Sequence, residues 1–255
     1  MYKNGYKLKG ILARKGYDWW WHSFTGMDAD TGELKPFFIE YFVINPGLWK
    51  GEIVFGQKKV SQQEGKRPCY AMIKAGSWGD EKAQLHSFFN LSDVNISYEE
   101  LNCSFGSNTL TDNSLQGEIF VSKDESNFYP ERMTDAGSMK WDLTVNKKLG
   151  YNVGYGSSNL FSTLCLFNMF WHVQGLSCEY KGWVEFNGKK YLVEPDSSCG
   201  YQDKNWGSDY TNPWIWLNCN NFISKNSGKP VKASLDIGGG CPVPCTEAEG
   251  GRPLK

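Results

Sequence analysis

The sequence has no basic surplus, no long uninterrupted apolar run, few histidines and no paired cysteine knuckles. Lys and Arg number 27 against 28 Asp and Glu, a formal net charge of −1. Without a cationic excess the chain has little with which to displace counterions from a phosphate backbone, so nucleic acid is not an expected partner. The richest apolar stretches, residues 37–44 and 160–171, are interrupted by Glu40 and Asn168 and are too short to cross a bilayer. Transient contact with a membrane surface stays compatible with this pattern. Residues 1–16 are basic but lack the apolar run and small-residue cleavage site of an export signal, which makes a cytoplasmic location the expectation. The three histidines (His22, His86, His172) are far apart, and among eight cysteines only Cys241 and Cys245 lie close together. No metal site is expected from such spacing, and the cysteines read as buried thiols of a reducing compartment.

What the chain does have is aromatic mass: 11 Trp, 13 Tyr and 15 Phe in 255 residues. So many flat apolar side chains imply a very aromatic core, a cavity lined with rings, or both. With 40% hydrophobic and 22% charged residues the chain is ordinary for a globular protein and long enough to bury a sizeable core.

Strand signals dominate. Residues 36–45 (PFFIEYFVIN) alternate Phe38, Glu40, Phe42 and Ile44 with Phe37, Ile39, Tyr41 and Val43. Both faces are apolar, so this strand is expected to be covered on two sides, with Glu40 the one ionisable exception. Residues 183–195 (WVEFNGKKYLVEP) place two alternating runs around Asn187-Gly188, the pair that suits a type I′ hairpin turn. Residues 214–220 (WIWLNCN) set Trp214 and Trp216 on one face. Further strands are expected within 117–123, 139–145 and 171–178. The stretch 158–170 fits a helix by its spacing of Leu160, Leu164 and Phe167, and fits a buried strand with a turn equally well. Residues 236–255, rich in Gly, Pro and charge, read as a flexible tail. Many short strands, 28 glycines and few helical stretches favour an all-β barrel or sandwich.

Two segments concentrate chemistry. In GYDWWWHSF (16–24), strand alternation turns Trp19 and Trp21 one way and Asp18, Trp20 and His22 the other. It reads as a core strand with a hydrogen-bonded histidine, or as a cavity wall with a polar group aimed at a ligand. In GYQDKNWGSDY (200–210), Asp203, Lys204, Asn205 and Asp209 crowd around Trp206. This reads as a salt-bridged connection, or as a loop at a barrel mouth that orients a mostly apolar ligand.

Together with FFIEYFVINP, GYNVGYG (150–156), FWHVQG (170–175), GWVEFNGKKYLVEP and NPWIWLNCNN, these segments resemble the tocopherol-cyclase-like family over residues ~10–240. YQDKNWG followed by Trp-x-Trp is the most specific piece. More distantly, DKNWG (203–207) is similar to the Asp-His-Gln-Trp-Gly motif of carotenoid hydratases and other lipocalin-like proteins, with Lys204 standing where those relatives carry histidine. The resemblance implies a lipocalin-like antiparallel β-barrel over residues 1–195. A junction motif, the opening strands of a second, incomplete barrel and a tail would fill 196–255.

It implies, too, cofactor-free closure of a prenylated phenol or quinol to a chromanol, or a related isomerisation or hydration, with a prenylated hydrophobic small molecule as ligand. Such chemistry needs a carboxylic acid held protonated near neutral pH, a wall that stabilises a cation without trapping it, and exclusion of water. Asp203 and Glu40 are the candidate acids, followed by Glu185, which alternates with Trp183 as an ordinary strand carboxylate would. His172 and His22 are candidates to orient the phenolic oxygen or act as base. Trp20, Trp21, Trp206, Trp214 and Trp216 would form the wall, with Lys204 and Asn205 at the ligand. The same cavity without an acid would make a carrier of prenyl-quinones or other lipids.

Overall fold

The structure is a computed structural model that describes residues 4–56, 58–153, 158, 160, 161, 164, 166–209 and 214–240. Twelve strands form one antiparallel sheet: β1 (Tyr17–Asp28), β2 (Leu34–Ile44), β3 (Tyr70–Ser77), β4 (Ala83–Phe89), β5 (Val94–Ile96), β6 (Asn102–Phe105), β7 (Asn108–Thr111), β8 (Ser114–Val121), β9 (Gly137–Tyr151), β10 (Met169–Phe186), β11 (Lys189–Val193) and β12 (Gly200–Gly207). From one edge the order is β4-β3-β2-β1. Next come β11 and β12 end to end in one slot, and the order finishes β10-β9-β8-β7-β6-β5.

The sheet curls into a closed antiparallel barrel. Tyr41 of β2 reaches across the interior to Phe105 of β6, with ring centroids 5.3 Å apart, and donates its hydroxyl to the Thr109 carbonyl on β7 at 3.1 Å. The outer edge of β4 is also occupied. Gln84 N–H donates to the Asp135 carboxylate at 2.8 Å and Asp135 N–H returns to the Gln84 carbonyl at 2.9 Å, so this edge does not offer a free ladder.

Local chemistry explains the elements. Asn187 and Gly188 adopt φ of 50° and 81°, the two positive angles that let β10 turn into β11 without splaying the strands. β2 is buried on both faces as its composition demands: Phe37, Ile39, Tyr41 and Val43 join the barrel core, while Phe38 and Phe42 lie under aromatic rings outside it and Glu40, also buried, pairs with Lys74. The strands expected at 117–123, 139–145 and 171–178 lie within or largely within β8, β9 and β10.

Residues 200–207 are a strand and not the loop that their polarity suggests. β12 fills the slot between β1 and β10, pairing Trp21 with Asp203 on one side and Trp171 with Asn205 on the other, and all eight residues are buried. The backbone groups of two neighbouring strands need ladder partners there, and each polar side chain finds company on one face or the other.

Among the described residues four further strands, β13 (Trp214–Cys219), β14 (Phe222–Ile223), β15 (Pro230–Val231) and β16 (Leu235–Gly240), fold back on one another as a single irregular hairpin. The expected tail therefore begins with a strand, and residues 241–255 lie outside the described residues, as do much of 158–170 and of GYNVGYG. The hairpin lies on the outer face of the barrel. A Cβ on Gly238 would stand 2.4 Å from the Trp171 ring, so only glycine lets β16 approach this closely. The hairpin's far face leaves Ile215 and Ile237 exposed. Among the described residues, no helix is long and apolar enough to cross a membrane.

Candidate functional site

Strand alternation on β12 splits the Asp203-Lys204-Asn205 triplet. Lys204 points into the barrel with Gln202, whereas Tyr201, Asp203 and Asn205 point outward beneath the β13–β16 hairpin. There are thus two polar clusters, separated by a strand.

The inner cluster is closed. Lys204 and Asp18, both fully buried, form an ion pair, and the Lys204 ammonium sits 3.7 Å from the Trp20 ring centroid. Asp18 also accepts the Lys7 backbone N–H at 2.8 Å. Burial pushes the Asp18 carboxyl up and the Lys204 amine down, and their mutual attraction opposes both. The N-terminal segment seals this side: Tyr6 stacks on Trp20, and the Asn4 carbonyl accepts the Trp20 indole N–H at 2.7 Å. His172 is held here, its Nδ1 2.8 Å from Asn4 Oδ1. His22 Nδ1 lies 2.9 Å from the Tyr180 hydroxyl, and burial drives the imidazole down to about 3, so it is neutral. Trp206 stacks on Phe170 at 5.7 Å. Apart from Gln202 Oε1, the polar groups named here find their partners in the chain itself, which is the signature of a structural network.

The outer cluster has more polar atoms to spare. Asp203 Oδ2 accepts the Trp171 indole N–H at 2.8 Å, the Tyr201 hydroxyl at 3.2 Å and the Asn205 amide at 3.3 Å. Its other oxygen, Oδ1, is buried with no partner, and so are Asn205 Oδ1 and the indole N–H of Trp21, which stands directly opposite Asp203 on β1. Buried polar atoms are nearly always satisfied, so three orphans on one face mark a place where a ligand or water completes the set. Around them stand Trp21 stacked on Phe38 (5.3 Å), Trp216 edge-on to Trp21 (6.0 Å), and Tyr201 against Trp216 (5.5 Å). Burial, helped by the nearby Asp236 charge and opposed by its donors, raises the Asp203 carboxyl to about 7. A carboxylic acid that keeps its proton near neutrality is what proton donation needs.

The other sequence candidates sort by place. Glu40 is on this outer face, opposite Trp21, but Lys74 of β3 holds it at 2.5 Å, so an ammonium and not a ligand occupies its carboxylate. Glu185 sits thirteen residues along β10 from His172, about 40 Å of strand away, between Lys140 and Lys190, and belongs to neither cluster. Trp214 opens β13, and its side chain lies outside the described residues. The structure thus brings Asp203, Asn205, Trp21 and Trp216 together outside the barrel, and Trp20, His22, Lys204, Trp206 and His172 together inside it. A surface hollow of about 600 Å³ lined by Glu81, Lys82, Ala83, Asp135, Ala136, Phe186, Asn187 and Lys189 contains none of the sequence candidates.

Sequence reasoning missed Tyr201, Trp171 and Asp236. Asp236 Oδ2 receives the Tyr201 hydroxyl at 2.7 Å and its Oδ1 receives the Trp216 indole N–H at 3.0 Å. Its alternation with Gly238 in LDIGGG was the available signal, masked by the glycines around it.

The buried acid leaves a mark on stability. A carboxyl raised from its ordinary 3.8 to about 7 makes the folded chain bind more protons than the unfolded one between those values. Stability from this group is therefore complete below pH 4 and is lost as pH climbs through 7, on the order of 2–4 kcal/mol. Asp203→Asn is expected to be more stable than wild type at pH 8, with the advantage shrinking as pH falls and gone only below pH 4. His22 acts in the opposite sense, lost as pH falls from 6.5 toward 3, and its slope stays in the variant. Melting temperatures of the two proteins from pH 5 to 8 check this; parallel curves would mean Asp203 is ionised throughout.

The sequence pattern of the tocopherol cyclase-like family matches residues 72–241. A chloroplastic tocopherol cyclase of Zea mays is 30% identical over 121 residues, covering 45% of this chain and 23% of that protein, so the match spans about a quarter of the relative's length. Among solved structures, a Nitrosomonas europaea protein assigned as AttH superposes with a TM-score of 0.48 at 10% identity over 87% of this chain and 68% of its own. Kievitone hydratase from Nectria haematococca gives 0.40 at 12% identity over 89% and 67%.

Proposed function

The chain belongs to the tocopherol cyclase-like family, and on that premise we propose that it closes a prenylated phenol or quinol to a chromanol by acid catalysis at Asp203, without a cofactor. The observation that carries this reading is Asp203 Oδ1: a buried carboxyl oxygen with no partner, on an acid that retains its proton near pH 7, among indole rings.

Each group then has a task. The substrate hydroxyl accepts from the Trp21 indole N–H and donates to Asn205 Oδ1, filling both orphans at once. Asp203 passes its proton to the trisubstituted alkene, and the positive charge forms on the more substituted carbon. The faces of Trp21, Trp171 and Trp216 stabilise that cation without bonding to it. The phenolic oxygen captures the cation and gives up its proton, so the product is an isomer of the substrate. Burial beneath β13–β16 excludes the water that would otherwise add to the cation. Trp171 and Asn205 hold the carboxyl from the Oδ2 side, leaving Oδ1 free to point at substrate.

Incubating the purified protein with a prenylated hydroquinone and identifying what comes out tests the reading. A chromanol of unchanged mass is expected. Substrate recovered bound but unchanged would make the protein a carrier of prenylated lipids, and a product heavier by one water would make it a hydratase.

A further inference from the structure

Tyr201 has one hydroxyl proton and lies within hydrogen-bonding distance of two carboxyl groups, Asp236 Oδ2 at 2.7 Å and Asp203 Oδ2 at 3.2 Å. One proton fills one oxygen–oxygen contact. The second contact needs a second proton, or it sets a lone pair against a lone pair. Burial and the two carboxyl groups drive the phenol far above its ordinary range, so Tyr201 keeps its own proton and the additional one sits on a carboxyl.

The surroundings say which. Asp236 is only partly buried and receives a donor on each oxygen, Tyr201 on one and Trp216 on the other; burial raises its carboxyl and these two donors oppose the rise. Asp203 is deeper and its Oδ1 has no donor at all. The other charged groups do not alter the count. On β2 and β3, Glu40 and Lys74 neutralise each other. β1 brings Trp19, Trp21 and Ser23 to this face, β10 brings Trp171 and β13 brings Trp216, none of them charged. Lys204 and Asp18 lie on the far side of β12, inside the barrel.

Resting on the reading of Asp203 as the acid, we infer that Asp236 is a second acidic residue of the site, whose charge keeps Asp203 protonated, and that Tyr201 is the bridge through which Asp203 is reloaded. After Asp203 has given its proton to the alkene, the Tyr201 proton moves to Asp203 while Tyr201 takes one from Asp236. Asp236, which is only partly buried, takes its proton from solvent, to which the proton released by the phenolic oxygen at ring closure is returned. One proton enters the substrate carbon and one leaves the oxygen, so the site returns to its starting state. Asp236 and Tyr201 are positioning residues: they act through Asp203.

The test follows the protonated carboxyl band of the full chain by infrared spectroscopy across pH, with Asp203→Asn identifying the Asp203 signal. Wild type should titrate near 7. Asp236→Asn removes a neighbouring negative charge and should lower that midpoint by on the order of one pH unit. Tyr201→Phe removes a donor to the ionised form and should raise it. Opposite shifts from two neighbouring substitutions are not what a packing defect produces, and either variant alone suffices should the other not fold. With a prenylated hydroquinone, Tyr201→Phe should keep its first turnover and slow the following ones by about tenfold or more. An Asp203 midpoint unmoved by both variants overturns the inference even if the protein is a cyclase. Shifted midpoints in a protein that converts no prenylated hydroquinone uphold the bridge and defeat the cyclase reading instead.

Discussion

Asp203→Asn is expected to lower the turnover of a prenylated hydroquinone by about 10²–10⁴-fold, the usual contribution of a positioned general acid, while changing ligand affinity by less than about threefold. The substitution is nearly isosteric. The carbonyl oxygen of the introduced amide still accepts from Trp171 and Tyr201, so the wall built on those residues stays in place. What disappears is the transferable proton, whose removal affects the transition state and not the ground state. A variant that retained product formation would take Asp203 out of the mechanism. One that lost binding in proportion to turnover would make the carboxyl a structural group. The same substitution should stabilise the fold above neutral pH, so lost activity with gained stability is the combined signature of a carboxyl kept for chemistry.

The second large effect belongs to the inner cluster. Lys204→Met is expected to destabilise the protein by about 3–5 kcal/mol, because it leaves the Asp18 carboxyl fully buried without its counter-charge. The double variant Asp18→Leu with Lys204→Met should recover most of that loss, since two apolar side chains of similar size need no pairing. Recovery should be incomplete by about 1–3 kcal/mol, because the Lys7 backbone N–H then loses its acceptor. Chemical denaturation of the three proteins measures both steps. If Lys204→Met instead leaves stability unchanged and abolishes catalysis, the inner cluster and not the outer one carries the chemistry.

Much of the frame is legible in the sequence because strand physics is local. The two-sided apolar pattern of β2, the Asn187-Gly188 turn and the division of β1 into a Trp19–Trp21 face and an Asp18–Trp20–His22 face all follow from alternation and turn chemistry. Residues 200–207 misled for a physical reason. Polar density ordinarily marks a solvated loop, but here the charged groups find partners in distant segments: Lys204 pairs with Asp18, 186 residues before it, and Asp203 with Trp171. No local pattern reports such a pairing. Asp236 was hidden by its setting: glycines ordinarily signal flexibility, whereas Gly238 is there so that β16 can rest on Trp171. The division of labour between the two faces of β12 became visible only when β1 and β10 were placed on either side of it.

Cyclisation of a prenylated hydroquinone in heavy water tests the assignment of Asp203 most directly. Proton delivery from a solvent-exchanged carboxyl predicts a chromanol carrying one carbon-bound deuterium from wild type and no such product from Asp203→Asn. Unlabelled chromanol from wild type, or equal labelling by the two proteins, would contradict it.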